Sequence, residues 1–208
     1  MGMAVVPVFM LAADSAWQSS LTGTWKEYLD GVGLLNLSSV IAYQSDSFFS
    51  WMIFKQPIAF CIFLVAIFAE TNRLPFDMPE SETELVAGYN TEYSSMRFAL
   101  FFMGEYAAMI AGSALMVVLF CGGWTLPLGA ILDPNGYFST PAGGIIQGVL
   151  HVVVFIMKIT VFLALMIWVR WMLPRFRYDQ LMNIGWKRFL PVSLANIILT
   201  AIVLWVTA

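Results

Sequence analysis

Charge is scarce in this chain. Only 11% of its 208 residues are Asp, Glu, Lys or Arg, against about 25% in a typical soluble domain. Ten basic side chains stand against thirteen acidic ones, a formal net charge of −3. A nucleic-acid partner is excluded on that ground, because neutralising phosphates takes a clustered excess of Lys and Arg. Cysteine is limited to Cys61 and Cys121, far apart and each inside an apolar run, so neither a disulfide framework nor a CxxC metal site is encoded. Both are expected to be buried apolar fillers. The lone histidine, His151, has no HExxH or paired-ligand context, and no GxGxxG or P-loop is present to cradle a nucleotide. No metal or redox cofactor is therefore expected on this chain alone.

What the chain has in quantity is apolar length, with 60% hydrophobic residues. A helix needs about 20 largely apolar residues to cross a bilayer core. Phe98–Phe120, Val149–Trp171 and Leu190–Thr207 meet that length, and Trp51–Ala69 does so if Lys55 and Gln56 lie at its entrance. Pro57 then falls in the first turn, where a missing N–H does least harm. Met1–Ala13 is apolar but short and lacks a basic start and a small-residue cleavage pattern, so it is expected to be the tail of a helix that begins earlier. The expected fold is all-α: one integral membrane domain over 1–208, a polytopic transmembrane bundle of about four full spans plus the end of a fifth.

The connections are equally informative. Within 14–50, "LLNLSSVIAYQ" suggests a short interfacial helix, and Asn36-Leu37-Ser38 matches a glycosylation sequon that we attribute to chance. The segment 122–148 is a Gly- and Pro-rich loop with a turn at Pro134-Asn135-Gly136. Arg170, Arg175, Arg177, Lys187 and Arg188 are half of the ten basic residues, which places their connection on the cytoplasmic or matrix side. Two spans separate it from 70–97, so that stretch lies on the same side.

The stretch 70–97 is acidic. Six of the thirteen carboxylates, Glu70, Asp77, Glu80, Glu82, Glu84 and Glu92, fall in it. Pro75 and Pro79 forbid a continuous helix, while Phe76, Met78, Leu85 and Val86 interleave apolar side chains with the acids. It is therefore expected to fold back onto protein, with a short helix over 79–89 carrying Glu80 and Glu84 on one face. Like charges at that spacing repel by a few tenths of a kcal/mol. Crowded, partly buried carboxylates exchange protons nearer neutrality; the plain alternative is a solvated charged loop.

Two charges lie inside expected spans. A carboxylate such as Glu105 costs about 2.5 to 3.5 kcal/mol at a helix centre, so it should face a bundle interior or a hydrated path unless it is only a structural hydrogen-bonding group. Lys158 follows the same logic and can pair with Glu105 or stand in a polar chain. Arg73 lies within reach of Glu70 and Asp77; it either orders the loop by a salt bridge or provides a cation where negative charge develops on a substrate.

"AETNRLPFDMPESETELVAGYNTEYSSMRFALFFMGEY" (69–106) resembles the signature segment of the membrane subunit of proton-pumping NADH:quinone oxidoreductase, respiratory complex I, called H in bacteria and subunit 1 in mitochondria. "RFRYDQLMNIGWKRFLP" (175–191) resembles its second signature, and the likeness covers nearly the whole chain. The resemblance implies a subunit that forms the membrane side of the quinone chamber. Glu70, Glu80, Glu82, Glu84 and Glu105 would belong to an acidic proton-coupling path. Arg73 and Asp77 would lie by the chamber, and Arg175, Arg177, Asp179 and Lys187 would contact the peripheral arm. Quinone would be the substrate, with FMN and iron–sulfur clusters held by partner subunits. The membrane would be the bacterial inner (plasma) membrane or the mitochondrial inner membrane. Family members are considerably longer, with about eight spans, so this chain is expected to correspond to the C-terminal part. The alternatives are the homologous subunit of a membrane-bound hydrogenase or formate hydrogenlyase, whose acidic loop diverges from "NRLPFDMPESETELVAGY", and a free-standing proton or cation transporter, against which the chain shows no internal repeat. A passive anchor would not need Glu105 or Lys158.

Overall fold

The computed structural model describes residues 2–12, 36–45, 48–77, 93, 95–126 and 144–207. Among them every regular element is helical. We number the helices α1 (Gly2–Ala12), α2 (Leu37–Gln44), α3 (Met52–Lys55), α4 (Pro57–Glu70), α5 (Met96–Phe120), α6 (Ile145–Met172), α7 (Tyr178–Ile184) and α8 (Leu190–Thr207). Among the described residues three helical stretches are long and apolar enough to cross a membrane, Met96–Phe120, Ile145–Met172 and Tyr178–Val206, while Gly2–Ala12 and Pro57–Glu70 are shorter apolar helices. Helices with apolar side chains turned outward suit a bilayer, where backbone groups must be satisfied internally.

The span expected over Trp51–Ala69 is two helices. Gln56 breaks it at φ −130° and ψ 60°, with Pro57 opening α4. Pro57 disfavours a helical conformation at the residue before it, and Gln56 is held sideways there: its Nε2 donates to Thr200 Oγ1 at 3.0 Å and its Oε1 accepts from Asn196 Nδ2 at 3.1 Å, both on α8. Lys55, in contrast, turns outward and donates to the Tyr43 hydroxyl at 2.8 Å.

The last span is longer than the apolar run that predicts it. Helix continues from Tyr178 through a wide π turn over Gly185–Phe189 into α8. Pro191 cannot donate and its ring crowds the carbonyl four residues back. A turn wound wider, with the Leu190 N–H reaching Gly185 O, gives that ring room without ending the helix. α8 then buries Ser193, Asn196 and Thr200 on one face and turns residues such as Leu194, Ile198 and Ile202 outward. Polar inside and apolar outside is the reverse of a soluble helix and the arrangement lipid favours.

α5 and α6 run antiparallel in a register that sets Ser113 beside Met166 and the end of α5 beside Lys158. Lys158 is near the midpoint of the 28-residue α6. α5 therefore ends about 20 Å short of the outer end of α6, at 1.5 Å per residue. α2 helps to fill the space around that end. It is a helix, as its sequence suggests, and is buried along most of its length, including Val40, Ile41 and Gln44. Asn36, the sequon residue, is its N-cap and accepts from the Ser38 N–H at 3.4 Å.

At the centre, Phe60 and Phe63 from α4, Phe120 from α5 and Phe162 from α6 pack ring against ring at centroid distances of 5.5 to 6.3 Å. Such pairs add about 0.5 to 1.5 kcal/mol each beyond burial. Cys121 belongs to this core, whereas Cys61 is exposed, so only one of the two cysteines fills space as expected.

Candidate functional site

The chain leaves α4 in a tight sequence of turns. Thr71 Oγ1 donates to Ile67 O at 2.9 Å, the Arg73 N–H to Phe68 O at 3.2 Å, and the Phe76 N–H to Arg73 O at 2.8 Å. Asn72, at φ 48°, makes the reversal, a conformation Asn tolerates better than most residues. The result tucks Arg73 and Asp77 inward, 8% and 5% exposed, and leaves Glu70 exposed at the end of α4.

A second segment pins these turns. The Phe176 N–H donates to Pro75 O at 3.0 Å, and the Phe176 ring stacks on Phe76 at 5.8 Å. The acidic connection and the basic connection therefore meet directly at the same end of the bundle.

Arg73 faces α5. Its Nε lies 3.2 Å from Glu105 Oε1, with the Arg73 side chain 9% and the Glu105 side chain 31% exposed. Its guanidinium carbon sits 4.6 Å above the Tyr106 ring, a cation–π arrangement that steadies a desolvated charge. The ion pair is close but poorly aligned: Nε and Nη2 of Arg73 have no hydrogen-bond acceptor among the described residues. A buried guanidinium with open N–H groups is a strong anchor for an oxygen acceptor.

Arg73 and Tyr106 border a cavity of about 500 Å³ whose other lining residues are Leu74, Met109, Met166, Ile167, Arg170 and Trp171. Its lining is mostly apolar and aromatic with two arginines, the pattern of a small-molecule site with a few orienting polar groups. Among the described residues no cluster of His, Cys, Asp or Glu can hold a metal.

The remaining sequence candidates divide. Glu80, Glu82 and Glu84, with the expected helix over 79–89, lie outside the described residues. So does the Pro134-Asn135-Gly136 turn. Arg175, Arg177, Asp179 and Lys187 are exposed around the start of α7 and its π turn, with Arg177 Nε 3.3 Å from Asp179 Oδ2. Lys158 does not meet Glu105. Its ammonium donates to the carbonyls of Cys121, Gly123 and Thr125 at 2.7, 3.0 and 2.6 Å and lies 4.8 Å from the Trp51 ring centroid.

Sequence reasoning passed over three groups that the fold makes prominent. Tyr106 gave no signal beyond adjacency to Glu105. Gln44 is fully buried: it donates to Val40 O and Leu119 O and accepts from the N–H groups of Met52 and Gly122, between 2.9 and 3.3 Å. The polar face of α8 was legible, since Ser193, Asn196 and Thr200 recur at helical spacing inside an apolar run.

A family model described as NADH dehydrogenase matches residues 1–201. The chain is 49% identical over 172 residues to the H 2 subunit of the NADH-quinone oxidoreductase of Koribacter versatilis, covering 82% of this chain and 46% of that protein. It is 45% identical over 172 residues to subunit 8 of the NADH-quinone oxidoreductase of Rhodothermus marinus, covering 82% and 50%. To the H subunit of the NADH-quinone oxidoreductase of Salinibacter ruber it is 41% identical over 206 residues, covering 97% of this chain and 53% of the relative. The chain thus spans about half the length of the curated relatives it matches.

Proposed function

Because the chain belongs to the NADH dehydrogenase family, we propose that it is a membrane subunit of a bacterial proton-translocating NADH:quinone oxidoreductase. In this reading its 208 residues are one integral membrane domain. They supply part of the quinone chamber and part of the acidic path that couples quinone reduction to proton movement. FMN and iron–sulfur clusters belong to partner subunits, and Arg175, Arg177, Asp179 and Lys187 contact those of the peripheral arm.

The observation that carries the proposal is the Arg73–Glu105 pair at the rim of the cavity of about 500 Å³. A quinone gains negative charge on its oxygens as electrons arrive, and a guanidinium with open N–H groups is placed to receive that charge. The same guanidinium holds Glu105. An oxyanion arriving at Arg73 competes with the carboxylate for it, so electron input is felt by the acidic residue without direct contact. Phe176, through Pro75 and Phe76, ties the position of Arg73 to the segment that leads to the peripheral-arm contacts. In this reading Glu70, Glu80, Glu82 and Glu84 are assigned to the same acidic path, and Asp77 to the chamber.

The test is purification of the complex through an affinity tag on this chain, followed by inhibitor-sensitive NADH:quinone reductase and proton-pumping assays of wild type, Glu105→Gln, Glu80→Gln and Glu84→Gln. Co-purification of flavin- and iron–sulfur-containing, NADH-oxidising subunits is expected, with coupling lost in the variants at normal assembly. Full reductase and full pumping in all three variants would overturn the acidic path. Absence of an NADH-oxidising partner would point instead to a hydrogenase-type assembly.

A further inference from the structure

We propose that the chain carries a two-part proton seal, an apolar aromatic layer topped by the fixed cation of Lys158, that closes the Glu105 end of the bundle off from the opposite face of the membrane. The seal deepens the functional reading above and rests on it, since an acid path that loads protons from one side needs the other side shut.

The first part is the layer. Between Glu105 and Cys121 on α5 the sequence holds no acidic or basic residue, and neither do 57–69 on α4 or 159–169 on α6. The facing side chains are Met109, Met116, Phe120, Phe63, Phe162 and Met166, all buried. The one polar group among them, the Ser113 hydroxyl, is engaged by Met109 O at 2.9 Å and faces the Met166 sulfur. Met109 and Met166 also line the cavity, so the closed part of the layer runs from Ser113 to Cys121, about 12 Å of helix at 1.5 Å per residue. A proton needs water or titratable groups to cross that distance, and tightly packed apolar voids stay dry.

The second part is Lys158. An ammonium has three donors, and the three carbonyls of Cys121, Gly123 and Thr125 take them all at 2.6 to 3.0 Å. The Cys121 carbonyl is the C-cap group of α5, and those of Gly123 and Thr125 follow in the turns just past the helix end, where the dipole is negative. With every N–H committed to a backbone carbonyl, Lys158 is held in place and has no open donor with which to relay a proton. Gln44 closes the same end through Leu119 O and the Gly122 N–H at 3.0 and 2.9 Å. A dry constriction combined with a fixed cation is how selective pores exclude protons.

The test uses the purified complex in liposomes with no NADH and with a quinone-site inhibitor present. A potassium diffusion potential drives protons inward, and an internal pH dye reads their entry. Lys158→Gln and Phe162→Ser are expected to raise passive proton entry by about an order of magnitude over wild type, as loss of a dewetted or charged barrier does. Lys158→Arg, which keeps the cation, is expected to stay near wild type. With NADH and quinone supplied, the two leaky variants should retain turnover yet hold a smaller pH gradient. A purely structural role predicts lower thermal stability with no leak. Variants that assemble normally and remain as tight as wild type would overturn the seal. Phe162 makes no hydrogen bond through its side chain, so Phe162→Ser decides alone if Lys158→Gln does not assemble. A wild-type complex without NADH:quinone activity would remove the functional reading and leave the leak comparison standing.

Discussion

Arg73, in the turns that follow α4, sets its Nε 3.2 Å from Glu105 Oε1 on α5 while resting on the Tyr106 ring at 4.6 Å. The pair joins the acidic connection to a spanning helix at the rim of the cavity, and it makes the two charges interdependent. Glu105→Gln leaves a guanidinium whose side chain is only 9% exposed without its anion. Breaking a fully buried pair costs about 3 to 5 kcal/mol, and the partial exposure of Glu105 reduces that to about 1 to 3. A lower unfolding temperature of the purified complex is expected, with partial recovery in an Arg73→Gln, Glu105→Gln double variant. A double variant no more stable than the single would show that the two side chains do not interact.

Gln44 replaces backbone partners that the end of α5 and the start of α3 would otherwise lack. Gln44→Leu leaves the Gly122 N–H and Leu119 O buried without their side-chain partner. Each orphaned group costs about 1 to 3 kcal/mol, so a drop of several kcal/mol or failure of the complex to assemble is expected. Gln44→Glu should be milder at low pH, where a protonated carboxyl keeps one donor. Denaturant titration of the solubilised complex measures both.

Gly123 sits at φ +55°, and a Cβ there would fall 2.9 Å from Ile41 Cδ1. Gly123→Ala therefore combines backbone strain with a clash. Substituting Ile41→Val beside it removes the Cδ1 contact but keeps a γ-carbon near 3.1 Å, so it should ease the clash and leave the strain, recovering part of the loss. Full recovery would mean that the φ angle carries no cost. Thermal unfolding of the four members of the cycle separates the two contributions.

The α8 seam gives a quantitative check on hydrogen bonds in this bundle. Gln56 and Asn196 are both buried and joined at 3.1 Å. Interhelical hydrogen bonds inside membrane bundles average about 0.6 kcal/mol and reach about 1.7 in double-mutant cycles. The Gln56→Leu, Asn196→Leu cycle is expected to fall in that range. A coupling near zero would mean that the break at Gln56 is set by Pro57 alone.

That the chain is a helical membrane bundle could be read from its residues alone, because apolar runs of spanning length admit few other structures in lipid. The same residues marked Glu105, Lys158 and Arg73, since charges in or beside such runs are costly enough to stand out. The partners of those charges were settled in three dimensions. Arg73 has Glu70 and Asp77 nearby in sequence, yet it meets Glu105, because the turn at Asn72 aims the guanidinium at α5. Lys158 meets carbonyls and not a carboxylate, because the antiparallel register of α5 and α6 puts Glu105 at one end of the apolar layer and Lys158 at the other. The sideways hold on Gln56 and the helical run from Tyr178 through Pro191 likewise depend on neighbours, an α8 polar face in one case and a π turn in the other. Helix length is written in local composition; which helix faces which, and at what depth, is a property of packing that no single run of residues contains.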